Sequence, residues 1–216
     1  MAGVSETDVM LPAGRVQLAG NMTLPTGTRR LVLFAHGSGS SRHSPRNRYV
    51  AGVLNEAGFG TLLMDLMTTD EEAEDMLTAH LRFEITLLAE RVVAATDWLG
   101  ENPATRDLAI GFFGASTGAA AALVAAAERP RVVRAIVSRG GRPDLAGSAL
   151  AKVSAPTLLI VGGFDAPVID MNRDAFDRLH VDKKLEIVPG ASHLFEEPGK
   201  IEEVARLARD WFKQYL

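Results

Sequence analysis

The pentapeptide Gly114-Ala115-Ser116-Thr117-Gly118 constrains the fold of this chain more than any other stretch. An apolar run, 108–113, leads into it, and an alanine-rich run, 119–127, follows it. The first run favours a β-strand and the second an α-helix, so Ser116 is predicted to stand on a sharp turn with glycine two residues to either side. Glycine suits this turn because the two backbones approach closely there. Such a nucleophile elbow predicts an exposed reactive hydroxyl, although the bare pattern also arises by chance and Ser116 could instead cap the helix.

Strand and helix patterns alternate along the rest of the chain. The continuous apolar run 31–35 is typical of a strand buried on both faces, and further core strands are predicted at 61–66, 108–113, 132–137, 156–161 and 184–188. Helical patterns occur at 44–57, 81–99, 119–127, 143–152, 167–179 and 199–215. This alternation predicts a single α/β domain over residues 1–216 with a mostly parallel sheet.

Two segments fit the alternation less well. Residues 1–13 are polar and are predicted to be a partly ordered segment, and 15–25 reads as a small hairpin or two short strands with Gly20-Asn21 inside. The acidic stretch 67–79 is interpreted as a solvated surface loop or a capped helix start, with a mobile flap over the site as the alternative.

Composition excludes several classes of function. The net charge of −4 over 216 residues argues against a nucleic-acid partner. The chain has no cysteine, which excludes disulfides, a cysteine-bound zinc and a thiol nucleophile. Residues Met1 to Thr7 have no signal-peptide character, and no apolar run is long enough to cross a membrane. We therefore expect a cytoplasmic protein without a membrane partner; a homodimer is compatible with the sequence, which leaves the oligomeric state open.

Three residues that suit nucleophilic catalysis follow separate predicted strands, in the order Ser116, Asp165, His193. This is the chain order of the triad in α/β-hydrolases. A serine hydroxyl needs an adjacent base, an imidazole can accept and return its proton, and a carboxylate orients the imidazole. Taken singly, Asp165 could be a turn residue and His193 a surface histidine. Asp170, inside the next predicted helix, is a weaker candidate for the acid.

An oxyanion hole is predicted from two backbone N–H groups. Thr117, the residue after the nucleophile, supplies one, and Ser38, in the glycine-rich loop after the first buried strand, supplies the other. His36 precedes this loop and is interpreted as a hydrogen-bonding partner of the loop backbone rather than as the base. The remaining histidines are interpreted as surface or structural residues: His43, His80 and His180.

Four arginines fall in loops at the predicted site: Arg42, Arg46, Arg139 and Arg142. Arg42 and Arg139 are candidates for binding a carboxylate or phosphate on the substrate. The alternative is that these arginines are solvated or pair with acids such as the 70–75 run. No large insertion follows the fourth buried strand, so we expect an open site for small or medium esters.

Four motifs carry a resemblance to a known family: 36–41 (HGSGSS), 114–118 (GASTG), 163–165 (GFD) and 191–193 (ASH). From about residue 15 to 215 the chain resembles the α/β-hydrolase superfamily, and within it the dienelactone-hydrolase-like group. The resemblance implies a three-layer αβα sandwich with about eight mostly parallel strands and one antiparallel strand near the start. It also implies acyl transfer to water through a serine-bound acyl-enzyme, with no cofactor and no metal.

The resemblance has one departure. Dienelactone hydrolase is similar in architecture but uses a cysteine nucleophile, whereas Ser116 stands here, which favours a plain serine esterase over a dienelactone substrate. Ser116 also disfavours haloalkane dehalogenases, whose elbow carries aspartate. Residues 41–47 resemble proteins fused to, or named after, phosphoribosyltransferases, although the chain shows no phosphoribosyltransferase signature.

The expected function is hydrolysis of small or medium carboxylic esters, a small-molecule substrate class. A thioesterase, a lactone hydrolase and a non-catalytic binding module with the same fold stay open as alternatives. A dinucleotide-binding turn is disfavoured, because Arg42 stands where the third glycine of that fingerprint belongs, and there is no P-loop.

Overall fold

The six core strands predicted from the sequence belong to one eight-stranded sheet in the computed structural model, which describes residues 5–216. The strands are β1 (Glu6–Ala13), β2 (Val16–Thr23), β3 (Arg30–Ala35), β4 (Gly60–Met64), β5 (Ala109–Ala115), β6 (Val133–Arg139), β7 (Thr157–Gly162) and β8 (Lys183–Val188). Their order across the sheet is β1-β2-β4-β3-β5-β6-β7-β8. Only β2 runs against the others, since it pairs antiparallel with both of its neighbours. The predicted α/β class and the antiparallel strand near the start are confirmed.

Helices cover both faces of the sheet. They are α1 (Pro45–Glu56), α2 (Thr69–Thr78), α3 (Ile85–Glu101), α4 (Thr117–Glu128), α5 (Ala166–Arg178) and α6 (Lys200–Tyr215), with 3₁₀ segments at Leu81–Phe83 and Pro143–Lys152. Helices α1 and α6 pack on one face, and α3, α4 and α5 on the other.

The two faces explain why the central strands are apolar throughout. In β3, Leu31 and Leu33 pack in the core under α3 and α4, whereas Val32 and Phe34 pack in the core under α1 and α6. Successive side chains of a strand point to opposite faces, so a strand covered on both sides needs an apolar residue at every position. All the loops that carry the predicted site residues leave the carboxyl ends of these strands, where open α/β sheets bind ligands.

The first strand corrects the prediction for residues 1–13. Residues 6–13 form β1, which pairs with β2 along its whole length, while residues 1–4 lie outside the described part of the chain. The hairpin turns at Gly14, whose φ is 65°, so Gly20-Asn21 lies inside β2 and not at a turn. The signal for β1 was the alternation of Val9, Leu11 and Ala13 on one side of the strand.

The acidic stretch contains a helix, which was one of the two structures predicted for it. The side chain of Thr68 accepts the N–H of Glu71 at 3.2 Å, and Glu71 Oε2 accepts the N–H of Thr68 at 2.8 Å. This reciprocal capping box satisfies two donors that a helix start would otherwise leave unpaired. Further along, the predicted helix 81–99 divides into the 3₁₀ turn and α3.

Candidate active site

Ser116 lies on a strained turn between β5 and α4. Its φ of 50° and ψ of −124° give it a backbone conformation that residues other than glycine rarely adopt. Although Ser116 occupies the N-cap position of α4, its side chain makes no capping hydrogen bond among the described residues. Ser116 is therefore not a simple helix cap. Its residue is half-buried at the edge of the sheet, and its hydroxyl is free to react.

The flanking glycines allow the close approaches that this turn requires. A β-carbon on Gly114 would lie 2.4 Å from Cα of Ala119 in α4, and one on Gly118 would lie 2.2 Å from the carbonyl oxygen of His36. Both distances are far inside van der Waals contact, so any side chain would force the backbone apart. The pattern of small residues at 114–118 thus follows from the crossing of α4 over β5 and β3.

Asp165 and His193, predicted from separate loops, are hydrogen-bonded to each other. Asp165 follows β7 at the start of α5, His193 follows β8, and His193 Nδ1 lies 2.6 Å from Asp165 Oδ2. A carboxylate accepts the proton at Nδ1, which leaves Nε2 as the ring nitrogen that can act as a base. The imidazole side chain is 39% exposed and the carboxylate 15%, so the base faces the solvent side of the pair.

The segment after β6 connects Ser116 to this pair. The backbone carbonyl oxygen of Arg139 accepts the N–H of Ser116 at 3.4 Å. The backbone N–H of Arg142 donates to the carbonyl oxygen of Ser116 at 3.0 Å. A β-carbon on Gly140 would lie 3.6 Å from Cε1 of His193, so the ring packs against this segment. Residues 5–216 contain no hydrogen bond between Ser116 Oγ and His193; such bonds are commonly long until substrate binds.

The two predicted oxyanion donors lie beside Ser116. A β-carbon on Gly37 would lie 2.8 Å from Cβ of Ser116, so the glycine-rich loop passes directly over the serine. The hydroxyls of Ser38 and Thr117 are 3.0 Å apart and hydrogen-bond to each other. In the described residues neither backbone N–H of this pair donates to a protein acceptor. Two unpaired N–H groups next to a serine suit a carbonyl oxygen that gains negative charge.

His36 holds the loop in place, as the sequence predicted. Its Nδ1 lies 2.9 Å from the carbonyl oxygen of Gly37, and its Nε2 accepts the N–H of Leu66 at 3.0 Å. The second bond requires an unprotonated Nε2, so this buried ring is neutral. Burial lowers the pKa of His36 below its usual value of 6.5, against smaller raising effects of the Gly37 carbonyl and Asp65.

This lowered pKa predicts that the fold loses stability in mild acid. Below pH 6.5 the unfolded chain binds a proton at His36 before the folded chain does, so the free energy of unfolding falls as the pH drops towards the folded pKa. The slope from one such group reaches about 1.4 kcal/mol per pH unit. Urea unfolding of the native protein and of His36→Gln between pH 5 and 7.5 measures this slope. Equal slopes in the two proteins would contradict the assignment.

The arginines divide into three that pair with acids and one that does not. Arg42 pairs with Asp65 through its guanidinium and its backbone N–H, Arg46 pairs with Glu196, and Arg142 with Asp144. Arg139 forms no ion pair in the part of the chain that is described. The acidic 70–75 run meets other arginines, since Glu71 pairs with Arg91 and Asp75 with Arg82.

A cavity of about 460 Å³ lies beside the glycine-rich loop. It opens between the loop and helix α2, and its lining includes Gly39, Ser40, Arg46, Met67, Met76 and Arg82. Helix α2 is therefore one wall of this cavity. The signal that marks α2 in the sequence is the spacing of Thr68 and Glu71, which matches a capping box.

The described residues contain no cluster of three histidine, cysteine or acidic side chains that could hold a metal ion. Within residues 5–216, no helix is both long and apolar enough to cross a membrane.

Comparison with known proteins decides the family. The model of the dienelactone hydrolase family matches residues 34–216. A crystal structure of a dienelactone hydrolase from Anabaena variabilis is 62% identical to this chain, with a TM-score of 0.97 over 99% of both chains. The chain belongs to the dienelactone hydrolase family. The predicted resemblance to this family is thereby confirmed, as is the α/β fold.

Two further comparisons show how much of its relatives' length this dienelactone hydrolase family member spans and which other structure shares its fold. Two Mycobacterium tuberculosis proteins, both named "Putative phosphoribosyl transferase", are 57% identical over 212 residues. The match covers 98% of this chain but 47% of theirs, so the chain spans about half the length of these relatives. Est1E from Butyrivibrio proteoclasticus shares the fold with a TM-score of 0.80 at 16% identity, over 96% of this chain and 98% of its own.

Proposed function

We propose that this hydrolase is a serine esterase that cleaves small to medium carboxylic esters through an acyl-enzyme on Ser116. The observation that carries the proposal is the 2.6 Å hydrogen bond between His193 and Asp165, formed at the same sheet edge as the strained Ser116 turn. This hydrogen bond orients an imidazole base at the edge of the sheet where the Ser116 hydroxyl also lies. A carboxylesterase is the enzyme class that such an arrangement supports.

The proposed reaction has two halves. In the first, His193 Nε2 takes the proton of Ser116 Oγ as Oγ bonds to the ester carbonyl carbon, and the ion pair with Asp165 stabilises the imidazolium. The carbonyl oxygen accepts the N–H groups of Ser38 and Thr117 while it carries negative charge. The carbon–oxygen bond to the alcohol then breaks, and His193 returns the proton to the departing alcohol.

In the second half, water replaces the alcohol. His193 takes a proton from water as the water oxygen bonds to the acyl carbon, and the bond from that carbon to Ser116 Oγ breaks. The serine recovers its proton from His193 and the acid product leaves. Each half of the reaction therefore uses the same base and the same two N–H donors.

The proposed substrate size is based on the space near the sheet edge. The cavity of about 460 Å³ is lined by Gly39 and Ser40 of the glycine-rich loop but not by Ser116 or His193, so we assign it to a part of the ester away from the reacting carbonyl. The segment between β6 and β7 contains only the 3₁₀ segment Pro143–Lys152 and no large cap. These two features support an open site.

A fluorophosphonate probe tests the proposal, because it phosphonylates a serine only when the serine is activated by a base. We expect the native protein to be labelled at Ser116, and Ser116→Ala to remain unlabelled, as measured by intact mass and peptide mapping. Ser154→Ala is the matched control. Ser154 is exposed, lies just before β7 and therefore away from the carboxyl edge of the sheet, and its hydroxyl donates to the carbonyl oxygen of Pro130. This variant should be labelled like the native protein. The proposal fails if the native protein does not label, or if Ser116→Ala labels to the same extent.

A further inference from the structure

Residues 189–199, which carry His193, contain no helix or strand and connect β8 to α6. Among the described residues, the N–H and carbonyl groups of His193 and Leu194 form no backbone–backbone hydrogen bond. The His193 side chain has its 2.6 Å hydrogen bond to Asp165, but it is 39% exposed. Because segments with few contacts open easily, the backbone that carries the ring has to be held by the residues on either side of it.

A carboxylate from the same segment closes the turn around His193. Oε2 of Glu197 accepts the backbone N–H of Ser192 at 3.0 Å. Within this closed turn, the N–H of Phe195 donates to the carbonyl oxygen of Ser192 at 3.2 Å. The N–H and hydroxyl of Ser192 lower the pKa of Glu197, and its own N–H and Lys200 contribute less. The carboxylate is therefore ionised at neutral pH, which makes its hydrogen bond to Ser192 a charge-assisted one.

Phe195 anchors the other side of the turn. Its φ of 58° is a backbone conformation that a bulky residue rarely adopts. The side chain is buried in the core under α1 and α6, and a β-carbon on Gly140 would lie 3.4 Å from its ring. Strained residues of this kind persist only where the surrounding structure holds them. The buried ring of Phe195 thus fixes the end of the turn, and Glu197 fixes its beginning.

Glu197 contacts the turn and not the reacting groups. Its hydrogen bond goes to the residue before His193, and the cavity beside the glycine-rich loop is lined by other residues. The adjacent carboxylate has a different partner, since Glu196 pairs with Arg46 at 2.8 Å and is 61% exposed. Any effect of Glu197 on the reaction therefore has to pass through the turn that carries His193.

We propose that Glu197 is a positioning residue: by holding the N–H of Ser192, it fixes the turn that keeps the His193 ring against Asp165 and within reach of Ser116. The inference rests on the proposed esterase function. The geometry favours it because the carboxylate grips the chain one residue before His193, whose own backbone has no such partner. Small displacements of a general base are costly, because proton transfer requires the two heavy atoms to lie within hydrogen-bond distance.

Glu197→Ala removes the acceptor and leaves Ser116, Asp165 and His193 in place. We expect kcat for p-nitrophenyl hexanoate to fall about tenfold or more, the size of one hydrogen bond to a charged group. KM should stay within about twofold of the native value, because the base acts in the transition state and not in binding. The matched control is Glu202→Ala, an exposed carboxylate in the first turn of α6, which should keep the native constants. A native kcat in Glu197→Ala would overturn the proposal.

Glu197→Gln separates the hydrogen bond from the charge. Its side-chain carbonyl oxygen can still accept the N–H of Ser192, so kcat should stay within about threefold of the native value. A glutamine variant as slow as Glu197→Ala would show that the turn is not what Glu197 controls. Urea unfolding of both variants measures stability separately. A lower free energy of unfolding for Glu197→Ala, combined with native kcat, would assign Glu197 a purely structural role.

A spectroscopic measurement separates this inference from the proposed function. If the native protein hydrolyses no ester, the esterase proposal fails, but the position of the His193 ring can still be measured in Ser116→Ala. Proton–nitrogen correlation spectra at alkaline pH report which ring nitrogen carries the proton, and contact with Asp165 keeps that proton on Nδ1. We expect a mixture of tautomers in Ser116→Ala/Glu197→Ala and the Nδ1–H tautomer in Ser116→Ala/Glu197→Gln. The same tautomer in Ser116→Ala with and without Glu197→Ala refutes the positioning role.

Discussion

Replacing Ser116 by alanine is expected to lower kcat for ester hydrolysis by at least about 10⁴-fold, the largest effect of any single substitution in this chain. Without Oγ no acyl-enzyme forms, and only the N–H groups of Ser38 and Thr117 remain to polarise the carbonyl. KM should change little, because the hydroxyl contributes to the transition state more than to binding. Steady-state hydrolysis of p-nitrophenyl hexanoate measures both constants.

Asp165→Asn provides the matched comparison for this result. An asparagine can occupy the same place but can present an N–H group to Nδ1 of His193. Because that contact favours the imidazole tautomer with the proton on Nε2, His193 can no longer act as the base, and kcat should also fall by about 10⁴-fold. Because the three residues act as a unit, the double variant Ser116→Ala/Asp165→Asn should be hardly slower than Ser116→Ala. Additive losses would show that Asp165 acts independently of the serine, and full activity of Asp165→Asn would point to another acid, such as Asp170.

Replacing Gly118 by alanine is expected to lower the free energy of unfolding by about 3 kcal/mol, although alanine is normally the better helix residue. The new β-carbon would lie 2.2 Å from the carbonyl oxygen of His36 and 2.4 Å from that of Ala35. Both atoms are backbone, which cannot rotate away as the end of a side chain can. Helix α4 would have to move from β3, and the Thr117 N–H would move with it. Urea unfolding measures the loss.

Gly52→Ala is the matched control for Gly118→Ala. Gly52 is also a helical glycine, in α1, but among residues 5–216 no atom outside its chain neighbours and its own helix backbone lies within 4 Å of the position that its β-carbon would take. The same substitution there should stabilise the protein by about 0.5 to 1 kcal/mol, through the lower entropy of the unfolded chain. Similar effects at the two positions would show that the close approach at Gly118 does not control stability.

The sequence by itself predicted the strands of the parallel part of the sheet, and from them the edge of the sheet where the candidate residues lie. Burial on both faces favours an apolar residue at nearly every strand position, so the runs that became β3, β4, β5 and β7 are visible without a structure. Close backbone contact demands glycine, which explains why 114–118 could be assigned to a turn. Asp165 and His193 were proposed from the sequence because each lies in a loop after a predicted strand, and the structure places the two side chains in hydrogen-bond contact.

What only the tertiary structure decided is which polar groups meet. Strand β1 was missed because its alternation is short and its partner strand, not its own composition, holds it in the sheet. The arginines at the site carry the same charge and similar flanking residues, yet in the described part of the chain Arg42 pairs with Asp65 whereas Arg139 pairs with no acidic side chain. Hydrophobic periodicity records whether a residue is buried, but the pairing of charges depends on where separate loops end in space. That is why an uncompensated arginine beside Ser116 and His193 became visible only in the folded chain.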